Sequence, residues 1–197
     1  YPGSVFDPIS ARIAQELGFE VGMFAGSIAS LAVLGAPDSI LLTLSEFADQ
    51  AHRICRAATL PLLCDADHGY GNALNVMRTV EELETAGVAA LSIADTELPQ
   101  PFGASAPRLT AVEEGVGKMR AALQARHDNG LVIAGRTSAP TISGLDDTIV
   151  RMKAYQDAGV DALFIVGLKR RADLDALAEA VRLPLILGGA GSELMGR

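Results

Sequence analysis

Short apolar runs alternate with amphipathic segments along the chain. Seven runs rich in Val, Ile and Leu have the length of buried strands, and stretches with helical periodicity lie between them. We predict the strands at 4–7, 21–26, 61–65, 89–95, 131–136, 162–167 and 184–189. Helices are predicted at 8–17, 44–57, 75–86, 145–158 and 172–181, with a further one after Thr110. Uninterrupted apolar strands between helices are typical of a parallel sheet that helices cover.

Individual residues mark where several of these helices begin and which side faces the core. Asp7 and Pro8 supply an N-cap and a first-turn proline for the first helix, and Thr110 with Glu113 predicts a capping box. Apolar residues three or four positions apart predict three core faces, namely Ile9, Ile13 and Leu17; Val76, Val80 and Leu83; and Val112, Val116, Met119 and Leu123.

Two architectures fit this order of elements, a doubly wound open sheet and a (β/α)8 barrel. Seven strands, each roughly 25–30 residues after the last, favour an α/β fold of the TIM-barrel type, which usually needs about 250 residues. We predict that residues 1–197 form a single barrel domain. Because the sequence stops just after the seventh strand, we expect the eighth strand and helix to be missing and the full chain to be longer.

Composition narrows the setting in which such a barrel would work. The net charge of −8 argues against nucleic acid as a partner, because its phosphates require clustered Lys and Arg. We expect no membrane partner, because no apolar stretch is long enough to span a bilayer. Cys55 and Cys64 lack metal-ligand spacing, so a reduced, cytoplasmic setting is expected.

Polar residues follow four of the predicted strands at the end where barrels carry their chemistry. Ser27 follows the second strand, Asp65 and Asp67 the third, Asp95 the fourth and Arg136 the fifth. Because the carboxyl ends of parallel strands share one mouth, we expect these side chains to lie together there.

Asp65 and Asp67 admit more than one interpretation. They are two residues apart, so an extended backbone would aim both at the same side, and their oxygens suit Mg²⁺ that keeps several waters. The alternative is that they cap or solvate the turn before the helix at 75–86. A phosphate loop is weakly supported, because the segment 69–71 has two glycines and lacks the third of a dinucleotide fingerprint.

Two further features could complete a site at this mouth. Arg136 would face it and could hold a carboxylate through two parallel hydrogen bonds, although a surface arginine paired with an acidic neighbour is the alternative. The segment 95–111 is long for a barrel connection, and we interpret it as a lid over the metal site.

The sequence resembles the phosphoenolpyruvate mutase/isocitrate lyase superfamily nearly end to end. The stretches that carry the resemblance include "SVFDPISARIAQELGFE", "DADHGYGNALNVMRTVEELE" and "AGRTSA", and the first sixteen residues of the second are similar to the oxaloacetate decarboxylase branch. The resemblance implies a (β/α)8 barrel, Mg²⁺ (with Mn²⁺ as a substitute) and small 2-oxo or 2-hydroxy diacids that react through an enolate of pyruvate. It also implies a homo-oligomer, commonly a tetramer.

The resemblance implies roles for six residues. Asp65 would be the direct Mg²⁺ ligand, while Asp67 and Asp38 would hold metal-bound waters. Ser27 and the backbone N–H groups around Gly26 would bind the substrate carboxylate. Arg136 would contact the substrate's oxygens, so Asp65 and Arg136 are the expected catalytic residues.

Departures from the family pattern bear on the activity. The Lys-Cys-Gly-His loop of the lyases has no counterpart, because the segment 95–111 contains no cysteine. The family usually has Glu before the Asp that follows strand four, and this chain has Ala94 there. Around Arg136, the Ala and Asn of the family pattern are replaced by Gly135 and Ser138. Ala190 stands where the decarboxylase branch has a tyrosine. Losing the carboxylate at position 94 is expected to weaken Mg²⁺ binding tenfold or more.

The leading hypothesis is therefore a Mg²⁺-dependent carboxy-lyase that converts oxaloacetate to pyruvate and CO2 through a metal-stabilised enolate. One alternative is a lyase or decarboxylase of a related substituted malate, of the 2-methylisocitrate or dimethylmalate type. The other is a non-catalytic barrel of the same family that binds a metabolite, which Ala94 and Ala190 would favour.

Overall fold

The computed structural model of the protein describes residues 1–104 and 106–194. Seven strands follow one another within these residues. They are β1 (Gly3–Ser4), β2 (Gly22–Phe24), β3 (Leu62–Asp65), β4 (Ala90–Ala94), β5 (Val132–Thr137), β6 (Ala162–Val166) and β7 (Leu185–Gly188). Each predicted strand is therefore present, and the first is two residues long and begins one residue earlier than expected.

The strands form one parallel sheet in sequence order, from β1 at one edge to β7 at the other. A doubly wound sheet reverses its strand order at a switch point, whereas a barrel wall does not. The fold is thus the predicted α/β type of the TIM barrel, a curled sheet of seven strands, and the doubly wound alternative is wrong.

Eight α-helices connect and cover the strands of the part of the chain that the structure describes. They are α1 (Pro8–Glu16), α2 (Gly26–Ala29), α3 (Leu44–Cys55), α4 (Ala73–Thr85), α5 (Val112–Ala125), α6 (Ala139–Ile142), α7 (Leu145–Ala158) and α8 (Arg171–Ala180). A π-helical turn, Ser30–Leu34, continues α2. Among these described helices, none is both long and apolar enough to cross a lipid bilayer.

Helix α4 confirms its predicted core face, and α1 does not. Val76, Val80 and Leu83 of α4 are fully buried. In α1 the buried residues are Ala11 and Ala14, and the three predicted core residues, Ile9, Ile13 and Leu17, are more than half exposed. The helix approaches the sheet through its small alanine face, so its larger apolar side chains point outward.

Helix α5 begins differently from the prediction. Its N-cap is Ala111, which makes no side-chain capping bond, so the predicted capping box of Thr110 and Glu113 is wrong. The Thr110 hydroxyl instead donates to the Asp95 carbonyl oxygen at 3.1 Å. Within the predicted core stripe of α5, Met119 is fully buried and the other three residues are partly buried.

The strand register separates two faces of the sheet. Asp65 lies opposite Ser92, Ala94 opposite Arg136, and Arg136 opposite Phe164, so these residues share one face. Phe164 packs there in a small cluster within the barrel, separate from the main core. The other face packs against the helices and carries residues of the main core, such as Ile93, Ile133 and Leu163. Asp65 and Arg136 therefore project into the barrel.

Candidate active site

A cavity of about 470 Å³ opens at the carboxyl ends of the strands. Its wall contains carboxylates, one arginine, small polar residues and aliphatic side chains. The lining residues are Asp38, Ser39, Ile40, Asp67, Ala94, Thr96, Leu98, Gln100, Arg136 and Ser138. This volume is in the range of small-molecule sites, and its position is the one where TIM barrels hold their active sites.

The loop between β3 and α4 has an unusual backbone that turns its carboxylates toward the cavity. Asp67 and Tyr70 adopt positive φ angles of 47° and 58°, and Gly69 and Gly71 lie between and after them at 76° and 150°. Asp67 is therefore not in an extended conformation, and the alternation argument for its direction was wrong. Residues other than glycine are uncommon at positive φ, and those that are held there concentrate at functional sites.

The helix that follows this loop does not use the two aspartates as its cap. Asn72 is the N-cap of α4, and its side chain accepts hydrogen bonds from the backbone N–H groups of Leu74 and Asn75. The capping alternative for Asp65 and Asp67 is therefore wrong. Asp65 instead accepts a hydrogen bond from the Asp67 backbone N–H at 3.2 Å, which ties the two residues together.

Asp67 lies against Gly26, at the start of α2. A Cβ atom at position 26 would lie 2.7 and 2.8 Å from the two Asp67 carboxylate oxygens, so only glycine leaves room for this carboxylate where it is. Burial raises the pKa of Asp67 to about 7, with further contributions from the nearby charges of Asp65 and Asp38. Arg136 offsets part of this rise.

Arg136 is held on two sides within the barrel. Its Nη1 atom forms an ion pair with the carboxylate of Asp65, and its guanidinium carbon lies 5.4 Å from the centre of the Phe164 ring. Such a position over an aromatic face is favourable for a cation. The Arg136 Nε atom is buried and has no hydrogen-bond partner among the residues that the structure describes. Arg136 thus faces the mouth, as predicted, and the surface alternative is wrong.

The remaining predicted site residues differ in whether they line the cavity. Asp38 is exposed and lines the cavity. Gly26 contacts Asp67, as described above. Ser27 is exposed at the first turn of α2 and is not among the residues that line the cavity. Its role toward a substrate carboxylate stays a prediction.

Asp95 does not belong to the cavity, in contrast to the prediction that it shares the mouth. It follows Ala94, which faces the barrel, so its own side chain points to the opposite side, toward the helices. There its Oδ2 atom accepts hydrogen bonds from Thr137, Arg151 and Tyr155. Burial raises the pKa of Asp95, although these three donors act in the opposite direction.

Part of the segment 95–111 lines one side of the cavity. Thr96, Leu98 and Gln100, near its start, line the cavity wall. Its two ends pair with each other through an antiparallel bridge between Thr96 and Leu109. The interpretation of this segment as a lid stays a prediction, and these contacts put it in the right place.

The donor set fits a hard divalent cation. Three carboxylates, Asp65, Asp67 and Asp38, accompany the guanidinium of Arg136, and the charges of Asp65 and Asp38 add to the effect of burial in raising the pKa of Asp67. Within residues 1–104 and 106–194, no three Asp, Glu, His or Cys side chains converge in the manner of an all-protein metal cage. Mg²⁺ does not need such a cage, because it keeps several waters and takes only one or two carboxylates.

Two residues that support the site were not predicted from the sequence. Lys118 of α5 is buried, and its Nζ atom donates to the His68 carbonyl oxygen at 2.9 Å, which fixes the loop that carries Asp67. Ile40 lines the cavity at a φ of 56°, which is rare for a β-branched residue. An isolated Lys in a helix and an isolated Ile in a loop carry no local signal of either role.

Comparison with known proteins places these features in a family. A model of the family described as phosphoenolpyruvate phosphomutase matches residues 3–193. A protein of Rhodopseudomonas palustris (strain BisB18) named oxaloacetate decarboxylase is 63% identical over 193 residues, which are 98% of this chain. A Bradyrhizobium diazoefficiens protein of the same name is 62% identical over 194 residues. The chain spans 67% of the length of each of these curated relatives.

Solved structures with other activities have the same fold. A 2,3-dimethylmalate lyase matches with a TM-score of 0.86 at 30% identity, over 94% of this chain and 65% of the other. An oxaloacetate acetylhydrolase bound to 3,3-difluorooxalacetate matches with a TM-score of 0.86 at 31% identity, over 93% and 64%. A phosphonopyruvate hydrolase bound to oxalate and Mg²⁺ matches with a TM-score of 0.84 at 30% identity, over 93% and 65%.

Proposed function

The chain belongs to the phosphoenolpyruvate phosphomutase family, and from this premise we propose that the protein decarboxylates oxaloacetate to pyruvate and CO2 with the help of Mg²⁺. The observation that carries the proposal is a cavity at the carboxyl ends of the strands that is lined by Asp38, Asp67 and Arg136, with Arg136 in contact with a further carboxylate. Asp65 and Arg136 form that contact. The names of relatives at 62–63% identity supply the reaction and its substrate.

Asp65, Asp67 and Asp38 are the residues that would hold the cation. Asp65 is buried and projects into the barrel, so it is the proposed direct ligand, while the exposed Asp38 and the partly buried Asp67 would act through water. When bound, Mg²⁺ would act as a Lewis acid toward the substrate's 2-oxo group. The Mg²⁺ in the related phosphonopyruvate hydrolase supports this choice of cation, and Mn²⁺ is its proposed substitute.

Arg136 would stabilise the charge that develops during the reaction. The bond between C3 and the C4 carboxylate breaks, CO2 leaves, and the electron pair moves into a C2–C3 double bond, so negative charge collects on the C2 oxygen. A fixed guanidinium in a partly buried site stabilises such charge strongly. A proton delivered to C3 then gives pyruvate.

The start of α2 would bind the C1 carboxylate of the substrate. Gly26 and Ser27 are the first two residues of α2, and a Cβ atom on Gly26 would lie 2.7 Å from an Asp67 carboxylate oxygen. Unpaired N–H groups in the first turn of a helix are suitable donors to an anion. A cytoplasmic location and a homotetramer, both expected from the sequence, remain predictions.

A lyase acting on a substituted malate is the second candidate. The solved dimethylmalate lyase, at 30% identity over most of this chain, favours it. The segment 95–111 contains no cysteine, however, and the lyases that this sequence resembles use one there as the acid and base for carbon–carbon cleavage. The non-catalytic alternative rests on Ala94, which lines the cavity at the position of an expected carboxylate.

An assay of pyruvate formation tests the proposal. The full-length protein is incubated with oxaloacetate in the presence of Mg²⁺, in the presence of EDTA, and as the Asp65→Ala variant with Mg²⁺. We expect turnover only for the wild type with Mg²⁺. A rate no higher than that of free Mg²⁺ in the same buffer would exclude decarboxylation, and turnover of dimethylmalate without turnover of oxaloacetate would favour the lyase.

A further inference from the structure

The outer face of the sheet carries a buried polar cluster directly behind the active site. Its centre is Asp95, which is fully buried. The Asp95 Oδ2 atom accepts hydrogen bonds from Tyr155 Oη at 2.7 Å, Thr137 Oγ1 at 2.9 Å and Arg151 Nη1 at 3.1 Å. Arg151 and Tyr155 belong to α7, so this one carboxylate joins β4, β5 and α7.

The cluster is connected to Arg136 through the backbone. The Asp95 backbone N–H donates to the Arg136 carbonyl oxygen at 3.2 Å. Thr137, the next residue, is bound to the Asp95 carboxylate, and its hydroxyl oxygen also accepts the Ala139 backbone N–H at 3.1 Å. The strand end that presents Arg136 is thus held at the Arg136 carbonyl group and at the side chain of the next residue.

The same cluster also fixes both ends of the segment 95–111. Asp95 is its first residue, and the Asp95 carbonyl oxygen accepts the backbone N–H and the hydroxyl of Thr110 at 2.8 and 3.1 Å. Arg151 Nη1 donates to the Thr110 carbonyl oxygen at 3.0 Å, so it holds both Asp95 and Thr110. The segment therefore leaves and rejoins the barrel at one anchored point.

Two glycines provide the space that this arrangement needs. A Cβ atom at Gly115 would lie 2.3 Å from the Tyr155 hydroxyl oxygen, and one at Gly135 would lie 3.1 Å from Tyr155 Cβ. Neither glycine has a positive φ, so packing alone accounts for them. Gly135 replaces the alanine usual in related sequences, and the structure explains it by the fully buried Tyr155 ring beside it.

We propose that Asp95 is a positioning residue, which holds Arg136 in its catalytic orientation and anchors both ends of the segment 95–111, whose first residues line the cavity. Its carboxylate acts through Thr137, which follows Arg136, and through Arg151, which also donates to the Thr110 carbonyl oxygen. This inference rests on the proposed function for its effect on turnover, but its effect on the segment 96–110 can be observed without any reaction.

The test compares Asp95→Asn with Asp161→Asn in the full-length protein. Asp161 is a suitable control, because its Oδ2 atom also binds an arginine, Arg126, and a strand N–H, but at the amino end of the sheet. We expect Asp95→Asn to lower kcat about 10- to 100-fold, because misplacing a catalytic group by up to about 1 Å can cost a loss of that size. KM for oxaloacetate should change far less, and Asp161→Asn should change neither.

A second pair of variants keeps the proposal testable if Asp95→Asn does not fold. Thr137→Val removes the hydroxyl that binds both Asp95 and the Ala139 backbone N–H, and Thr137→Ser restores it. We expect kcat to fall in the first and to return to near the wild-type value in the second. Equal kcat values in Thr137→Val, Thr137→Ser and the wild type would overturn the proposal.

Hydrogen–deuterium exchange supplies the readout that is independent of turnover. In Asp95→Asn, peptides covering 96–111 should take up deuterium faster than in the wild type, whereas Asp161→Asn should leave these peptides unchanged. Unchanged exchange in Asp95→Asn, or equal acceleration in both variants, would overturn the proposal. If the wild type fails to turn over oxaloacetate, the proposed function fails and this exchange comparison still decides the role of Asp95.

Discussion

The contact between Gly26 and Asp67 gives a substitution whose effect can be worked out from the structure. A Cβ atom at position 26 would lie 2.7 Å from the nearer Asp67 oxygen, and ordinary contact begins at 3.4 Å, so the carboxylate would have to move by about 0.7 Å. Gly26 has no positive φ, so alanine fits the backbone and favours the helix that begins there. The Gly26→Ala substitution therefore displaces Asp67 with little cost to folding.

The displacement should appear in cation binding. A functional group needs to stay within about 0.5 Å of its productive position, and misplacement by about 1 Å can cost about 100-fold. We expect Gly26→Ala to weaken Mg²⁺ binding and to lower kcat/KM by about 10- to 100-fold, which is about 1.4 to 2.7 kcal/mol. The melting temperature of the metal-free protein should change by less than about 2 °C.

Isothermal titration calorimetry with Mg²⁺ or Mn²⁺ measures the affinity, and Gly117→Ala is the control. Gly117 lies in α5, and no atom of residues 1–104 and 106–194 lies within 4 Å of the added Cβ atom, so its substitution should leave the affinity unchanged. In an Asp67→Ala background, Gly26→Ala should add no further loss, because the group it displaces is absent. Wild-type affinity in Gly26→Ala, or an additive loss in the double variant, would refute this reasoning.

Three further predictions concern Arg136, Lys118 and Glu84. Arg136→Lys keeps the charge but loses the planar group between Asp65 and Phe164, so kcat should fall about 100-fold or more in steady-state assays. A fall of less than about threefold would contradict the role of the guanidinium. Lys118→Met keeps the apolar stem and leaves the His68 carbonyl oxygen without its donor, so urea unfolding should show a loss of about 1–3 kcal/mol, whereas the exposed Lys153 changed to Met should show almost none. Partial burial alone would raise the pKa of Glu84, but hydrogen bonds from the backbone N–H groups of Asp128 and His127 outweigh it and lower the pKa below 4.5. The stabilisation by these hydrogen bonds is present above about pH 4.5 and is lost as the pH falls through the lowered pKa of Glu84. Between about pH 6 and pH 3, the melting temperature of Glu84→Gln should therefore fall less than that of the wild type. Equal falls in both proteins would contradict this prediction.

The fold could be predicted because its signals are repeated and local. Each strand is an apolar run whose length and flanking helices are visible in the sequence, and seven in series left only the choice between two architectures. The cap at Asp7 also follows from a single residue, and it is present. The resemblance to the family, which is confirmed, rests on motifs that span most of these elements.

The errors arise where tertiary packing decides the outcome. Ile9, Ile13 and Leu17 have the spacing of a core face, but the close approach of α1 to the sheet requires the alanines on its other side. Thr110 and Glu113 have the spacing of a capping box, but the Thr110 hydroxyl binds the Asp95 carbonyl oxygen, 15 residues earlier. A local pattern cannot indicate that a distant acceptor competes for the same donor.

The candidate site was predicted only in part, because the strand register and distant partners decide which side chains meet there. Asp65 and Arg136 end buried strands, and the sheet register places both on the inner face, so their meeting follows from the barrel. Asp95 also ends a strand, but the register puts it on the outer face, and its partners Arg151 and Tyr155 lie about 60 residues later. Which of two successive residues faces inward depends on the neighbouring strand, which the sequence of one strand does not specify.

The identity of the products from labelled oxaloacetate tests the central claim most directly. Oxaloacetate carrying ¹³C at C4 is mixed with the full-length protein and Mg²⁺, and the products are followed by NMR. Decarboxylation breaks the C3–C4 bond, so we predict that the label appears in CO2 and bicarbonate, and that unlabelled pyruvate accumulates. A related solved structure is an oxaloacetate acetylhydrolase, whose oxalate-bound form has oxalate as its product. Label in the carboxyl group of acetate, with oxalate as the second product, would show cleavage of the C2–C3 bond and would contradict the account.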